Sequence, residues 1–456
     1  MTKSKRSSRI ISAGEPNFSE ACMATLFNQR TPDQFPNVLY QAYTVADIQQ
    51  AIQHAKDKNL KISIVSGGHS WSANHMRANT LVIDMSRFDT YTIDKEAMIA
   101  TAGPGCSGNI LMLALNRQNL FFPTGHCVGV RLGGYLLQGG FGWYSQKYGL
   151  ACESVVGLDV VTADGEIVFA SETENSDLFW AARGAGAGFF GVVFRYHLRL
   201  YPKPPVIGLH MHIYPGSHLA DVLRWAYDTV SEVPSNVEFH IMMTRRPFAL
   251  GKVVLEVSAT AIADSSQEAR ESLAFMQNSP IKQKAFFRTP FIRTNMWLLY
   301  KISSLSFFKE KHRWEVDNMW SHSNADEVLP VLTHAVETMP PHPSVMFWTY
   351  WKPHDIRPDM AFSVEDQFYI GMYSGWKKKE KDTQYGSWAI DHIRQLEPFS
   401  TGIQLADENL HRRTARFMKN DNMARLDTIR EHWDTTNLFN TWHSRPDAVH
   451  IEKTDT

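Results

Sequence analysis

The chain has almost no charge imbalance: 46 Lys and Arg against 47 Asp and Glu leave a formal net charge of −1 over 456 residues. A basic field that would gather nucleic acid or anionic lipid is absent at the whole-chain level, so neither is expected as a partner. No apolar run reaches about 18 residues, so no membrane-spanning helix is expected. Cysteine is scarce. Cys22, Cys106, Cys127 and Cys152 lie far apart with no C-x-x-C pair. That excludes a Cys-rich zinc site, argues against a disulfide framework and fits free thiols. The polar, basic start (1–16) has no apolar h-region. It reads as a solvated terminus rather than a secretory signal, and a cytoplasmic location is expected. Internal repeats are not evident. No G-x-G-x-x-G joins an early strand to a helix, and no G-x-x-x-x-G-K-[ST] occurs, so Rossmann and Walker-type nucleotide sites are poor readings.

What is present is a globular balance, 43% hydrophobic and 20% charged, in a chain too long for one core. Thr44, with Asp47 three residues on, forms a capping-box variant, and Ile48, Ala51, Ile52 and Ala55 recur at helical spacing behind it. The spacing predicts strands at 61–65, 81–85, 98–105 and 120–123, with a helix at 110–118. A hairpin is expected over 155–171 around Asp164-Gly165, a short helix at 177–183, and a long alternating strand after Gly188. Pro202, Pro204 and Pro205 mark a boundary. Beyond it, strands of mixed polarity (206–214, 237–244, 252–259, 344–351 and 367–375) alternate with helices such as 219–230 and 265–276. The reading is α+β, with a first unit at 1–205, a second at 206–430 built as an antiparallel sheet covered by helices, and a segment at 431–456 returning to the first. Lys377 to Lys381 reads as a solvated charge run. The aromatic run 346–351 reads more readily as sheet core than as cleft lining.

Glycine clusters carry the functional signal. Gly67-Gly68 ends a strand, Gly133-Gly134 and Gly139-Gly140-Phe141-Gly142 lie close together, and Gly184, Gly186 and Gly188 follow Arg183. Bare backbone lets N–H groups approach a ligand and form anion-binding nests. Any one cluster could be a tight turn; several together suggest a large phosphate-bearing cofactor. Two reactive side chains sit inside these clusters, His69 directly after Gly68 and Cys127 ahead of Gly133. A metal held by His69, His126 and Cys127 lacks a fourth ligand at a recognisable spacing, so no metal is expected.

The run Val65-Ser66-Gly67-Gly68-His69-Ser70 resembles the flavinylation motif of FAD-linked oxidases of the vanillyl-alcohol oxidase/p-cresol methylhydroxylase fold. Gly125-His126-Cys127, followed by Val130, Gly133-Gly134 and Gly139-Gly140-Phe141-Gly142, resembles the second attachment motif of the berberine bridge enzyme-like branch. Lys147-Tyr148-Gly149-Leu150, Val161 to Gly165 and Asp177 to Gly184 follow in the family order. The likeness is close over 35–205 and loose beyond, where Asn437-Leu438-Phe439 is recognisable. It implies a two-subdomain FAD-binding unit and an FAD attached twice, His69 to the 8α-methyl carbon and Cys127 to C6. The backbone of Ser66, Gly67, Gly68, His69 and Ser70 would cradle the pyrophosphate. Gly133, Gly134, Leu136, Gly139, Gly140, Gly142, Gly188 and Val192 would pass beside the flavin and ribityl chain.

Departures from the family pattern bear on the chemistry. Tyr135 stands where members usually have His. Leu136 occupies a position linked to oxygen access. The Tyr-x-Asn motif is missing, its nearest counterpart being Gly402 to Asp407, and the flavin-contacting Asn is replaced near Trp442-His443. The base is therefore sought among Tyr350, Tyr369, Tyr373 and Gln404, with His240 and Asp407 as further candidates. The expected activity is FAD-dependent oxidation of an alcohol, sugar or related small molecule by hydride transfer to flavin N5, with O2 or another acceptor reoxidising the flavin, in a monomer or homodimer. Alternatives are an oxidative cyclase or tailoring enzyme of secondary metabolism, a dehydrogenase shielded from oxygen, and a non-catalytic flavin-binding protein.

Overall fold

A computed structural model describes residues 9–304, 312–352 and 354–446. The expectation for the extreme N-terminus, residues 1–8, and the last part of the returning segment, residues 447–456, lie outside the described residues.

Two main sheets form from the first 202 residues, beside a two-stranded pairing of Leu120–Phe121 with Tyr201–Pro202. In one, Lys61–Val65 and Val38–Gln41 flank Thr80–Asp84 in parallel, and Arg9–Ser12 adds an antiparallel edge. Helix Val45–Asp57 covers this sheet because Ile48, Ala51, Ile52 and Ala55 share one buried face. Its start is fixed by the reciprocal Thr44–Asp47 capping box. The other sheet is antiparallel, ordered Tyr91–Asp94, Ile99–Ala102, Val192–Arg199, Val155–Val161 and Ile167–Ala170. Its last two strands are the expected hairpin. Side chains from both sheets meet in a single apolar core with Leu111, Leu132, Phe179 and Phe190. The C-terminal segment closes on this core: Phe439 bridges in parallel to Ile62, and Ile62 exchanges backbone hydrogen bonds with Leu438 and Asn440.

The largest sheet has eight strands, with Val206–Pro215, Val253–Ala263, Val237–Arg245, Val345–Tyr350, Phe368–Trp376 and Arg313–Ser321 in spatial order. Helices Leu219–Thr229, Ala325–Thr338 and Trp388–Leu396 pack on one face. Val328, Leu329 and Leu332 bury there, contributing roughly 1.5–3 kcal/mol each. The opposite face looks toward the first two sheets across a cavity. The whole is α+β, as expected.

Some local readings change. The helix expected over 265–276 divides at Leu273 into Ser266–Ser272 and Ala274–Gln277. Arg313–Ser321 was not anticipated as a strand because its charges suggest solvent, yet every residue in it is buried. Arg313 pairs with Asp382, Glu315 with Arg412 and Asp317 with Arg413. Each charge keeps a partner, so the strand buries without an isolated ion. The run 346–351 divides by face. Met346 and Trp348 belong to the core under the helices, while Phe347, Thr349 and Trp351 line the cavity, as alternation along a strand requires.

Candidate functional site

Between the glycine-bearing turns and the eight-stranded sheet lies a cavity of about 460 Å³, within the usual range for a ligand site. On its near wall, Lys61–Val65 delivers the turn Ser66 to Ser70. Gly68 has φ +64°, and a Cβ there would fall 1.6 Å from the Thr25 carbonyl oxygen. Only glycine lets the turn close while its own carbonyl accepts from Phe27 N at 2.9 Å. His69 leaves this turn stacked on Phe27, with ring centroids 4.5 Å apart and 28° between planes. Cys127 comes from the loop ahead of helix Leu132–Leu137 and faces the same cavity. It is partly exposed and lines that space. Burial, with the nearby Asp407 carboxylate, pushes its thiol up to about 12.

The far wall is one face of the sheet. Across it, Met211, Ser258, His240, Thr349 and Tyr369 stand in a single register row, and all line the cavity. Tyr373 is two pleats along from Tyr369. Both phenols donate to one oxygen of Asp407, Tyr369 at 2.7 Å and Tyr373 at 2.9 Å, and their oxygens lie 2.9 Å apart. The other carboxylate oxygen accepts from Trp71 Nε1 at 2.7 Å. Burial raises the Asp407 pKa against the lowering effect of these three donors. The phenols are pushed well above their ordinary range by burial and by Asp407. Burial lowers His240 to about 4, so its imidazole is neutral at neutral pH.

A model of the FAD binding domain matches residues 36–171. The FAD-linked oxidoreductase nodO of Hypoxylon pulicicidum is 32% identical over 92% of this chain and 93% of its own length. The chain belongs to the FAD-linked oxidoreductases. A carbohydrate oxidase of Microdochium nivale is 41% identical over 40% of this chain and 37% of its own. In fold, the chain matches the berberine bridge enzyme-like protein 28 of Arabidopsis thaliana with a TM-score of 0.84 at 16% identity, covering 96% of this chain and 98% of the other. The protein is therefore an oxidoreductase rather than the non-catalytic flavin carrier that the missing Tyr-x-Asn motif raised. Among the described residues no helix is long and apolar enough to cross a membrane.

The residues of this FAD-linked oxidoreductase fit the cofactor. A Cβ added to Gly134 would meet nothing nearer than Gln138 Oε1 at 4.0 Å, so the cavity face of its helix is bare backbone, a cradle that side chains would fill. The expected site residues divide into two groups. Ser66, Gly67, Gly68, His69, Ser70, Cys127, Gly133, Gly134, Gly142, Tyr350, Tyr369 and Tyr373 line one cavity. Leu136, Gly139, Gly140, Gly188, Val192 and Gln404 lie outside its lining. Leu136 turns into the core from the far side of its helix. Gly139 and Gly140 make room for Phe362 and Ala151, and Gly188 for the Trp442 indole. Val192 is core. Gln404 is buried with its backbone bonded to Asn318, and Asp407, three residues on, reaches the cavity instead. Sequence reading missed Trp71. Its position two residues after His69 was the available signal.

Proposed function

We propose that this oxidoreductase holds FAD through His69 and Cys127 and oxidises a carbon bearing a hydroxyl, in an alcohol, a sugar or a related small molecule. In this reading residues 1–205 hold the cofactor, 206–430 hold the substrate, and 431–456 return to the cofactor unit. FAD held there would supply a two-electron acceptor for the substrate hydride, reoxidised by O2 or another acceptor. The chain's own part is the proton. Tyr369 Oη or Tyr373 Oη accepts the substrate O–H proton as its own proton passes to Asp407, and a C=O bond replaces the C–H and O–H bonds. The carboxylate, not a phenolate, is the resting base, since burial holds both phenols protonated.

The observation that carries this reading is the placement of the Asp407–Tyr369–Tyr373 cluster in the same cavity as His69 and Cys127. The carbohydrate oxidase of Microdochium nivale supports a hydroxylated substrate. The test is anaerobic mixing of the holoprotein with panels of aldoses, primary alcohols and amines. Loss of the oxidised-flavin absorption with a hydroxyl compound, and formation of its carbonyl product, is expected. Bleaching by amines alone would overturn the assignment to C–OH donors. A cyclised product would move the enzyme to the tailoring class.

A further inference from the structure

A row of polar side chains on the sheet faces the cavity with its hydrogen bonds unmade. Ser258, His240 and Thr349 stand side by side on strands Val253–Ala263, Val237–Arg245 and Val345–Tyr350, each opposite the next in the ladder. All three are partly exposed and line the cavity. Their chain neighbours Phe239, Ile241, Val257 and Trp348 bury in the core on the other face. Among the described residues, no hydrogen bond reaches either hydroxyl or either imidazole nitrogen, and none of these atoms is fully buried. Nearby groups differ. Glu256 is held by Arg246 at 2.6 and 2.9 Å, and Tyr369, next in the row after Thr349, is bonded to Asp407. Glu238 Oε2 and Gln146 Oε1 lack partners but are closed off, so a ligand meets the row rather than them.

Each group in the row can both donate and accept, the imidazole because burial keeps it neutral. A ligand that covers such groups with hydrocarbon strands them, whereas one that brings oxygen atoms pairs them. Opposite residues in a ladder have Cβ atoms about 4.5–5.5 Å apart, so the row offers contacts at roughly 5 Å steps leading to Tyr369. Met242 and Phe347, the next pair along two of these strands, are apolar, so a polar line runs beside an apolar strip. Among the described lining residues only Arg131 carries a Lys or Arg charge, and its stem packs on Gly67 in the turn before His69. The sheet wall presents no cation to balance an acidic ligand.

We propose that Ser258, His240 and Thr349 form a substrate-recognition row: they hydrogen-bond uncharged oxygen groups along one edge of the substrate, whose reacting hydroxyl lies at the Tyr369 end. The substrate is then a neutral molecule with several hydroxyl or ether oxygens on one edge, rather than a monohydroxyl hydrocarbon or an acid. This rests on the reading of the cavity as the site of C–OH oxidation, and deepens it. It assigns His240 to substrate binding rather than to the role of base.

The test reads binding apart from turnover. A benzene ring bearing two dimethyl carbinol groups in meta positions has two hydroxyls and no hydrogen on either carbinol carbon, so it cannot lose hydride. Replacing one hydroxyl by methyl gives the near-isosteric mono-ol, and replacing one carbinol group by carboxylate gives an anion. Each is titrated into oxidised holoprotein and followed by perturbation of the flavin spectrum. Wild type should bind the diol about three- to tenfold more tightly than the mono-ol, the effect of one neutral hydrogen bond, and the carboxylate most weakly. In the triple variant Ser258→Ala, His240→Phe, Thr349→Val the diol should lose its advantage. A merely structural row would weaken both alcohols alike and leave their ratio unchanged. Equal or tighter binding of the mono-ol by wild type, the carboxylate as the tightest ligand, a ratio retained in the triple variant, or binding of none of the three would overturn the proposal. The wild-type comparison decides alone if the triple variant does not load flavin. Because no probe can lose hydride from its carbinol carbon, a failure here leaves the bleaching test of the activity independent.

Discussion

Trp71 Nε1 donates to Asp407 Oδ1 at 2.7 Å across 336 residues of sequence. The bond joins the turn that presents His69 to the loop that presents the proposed base. Trp71 also packs edge-on against Phe27 and Tyr373, with ring centroids 5.3 and 5.6 Å away. One indole thus touches the ring stacked on His69 and a phenol bonded to Asp407. Trp71→Phe keeps the packing and removes the donor. With one stabilising bond fewer, the carboxylate should titrate still higher. The acid limb of kcat/KM should move to higher pH, with flavin content unchanged. An unmoved limb would show that Asp407 does not govern the proton step.

Asp407→Asn removes the proton acceptor at nearly constant shape. A fall in kcat of about 10²–10⁴ is expected, measured with whichever compound bleaches the wild-type flavin. Stability should change in the opposite sense. The folded pKa of Asp407 is raised by burial, so between its unfolded and folded pKa values the native state binds more protons than the unfolded one. Stability from this group is then greatest below the unfolded pKa and declines as pH rises through that window. D407N should abolish that slope and be no less stable than wild type at neutral pH, as read by thermal melts of matched flavin content.

Gly134 separates cofactor binding from folding. It sits inside helix Leu132–Leu137, where leucine is favoured over glycine by somewhat less than the roughly 0.8–1 kcal/mol that separates alanine from glycine. Gly134→Leu should therefore leave the flavin-free protein as stable as wild type or more so, while blocking the cradle. Purified G134L should be colourless yet cooperatively folded; a fully flavinylated G134L would show that the cofactor does not run along this helix.

Much of this architecture is legible in the sequence because its signals are local. The Thr44–Asp47 capping box, the Asp164-Gly165 hairpin and the alternating strands on either side of Pro205 each specify their own conformation. His69 and Cys127 stand out because glycine turns place them beside bare backbone. What sequence reading could not supply is whatever depends on distant partners. Arg313–Ser321 carries charges that suggest solvent until Arg412, Arg413 and Asp382 arrive from elsewhere. Asp407 was one of several candidates for the base, and only the convergence of Trp71, Tyr369 and Tyr373 on it singles it out. Position along the loop left Gln404 and Asp407 as alternatives; the chain buries the Gln404 side chain and brings Asp407 to the cavity. Leu136 and Gly188 belong to family motifs, yet here they serve packing behind the wall.

The central claim is that the flavin is attached through both His69 and Cys127. The thiol, pushed up to about 12 by burial and by Asp407, is protonated at neutral pH and must lose its proton to form its bond. The direct measurement is acid denaturation of purified wild type, His69→Ala, Cys127→Ala and the double variant, followed by separation of pellet and supernatant. The account predicts flavin colour in the pellet for wild type and each single variant, and colour released to the supernatant only in the double variant. Release of all colour from the wild-type protein would contradict it.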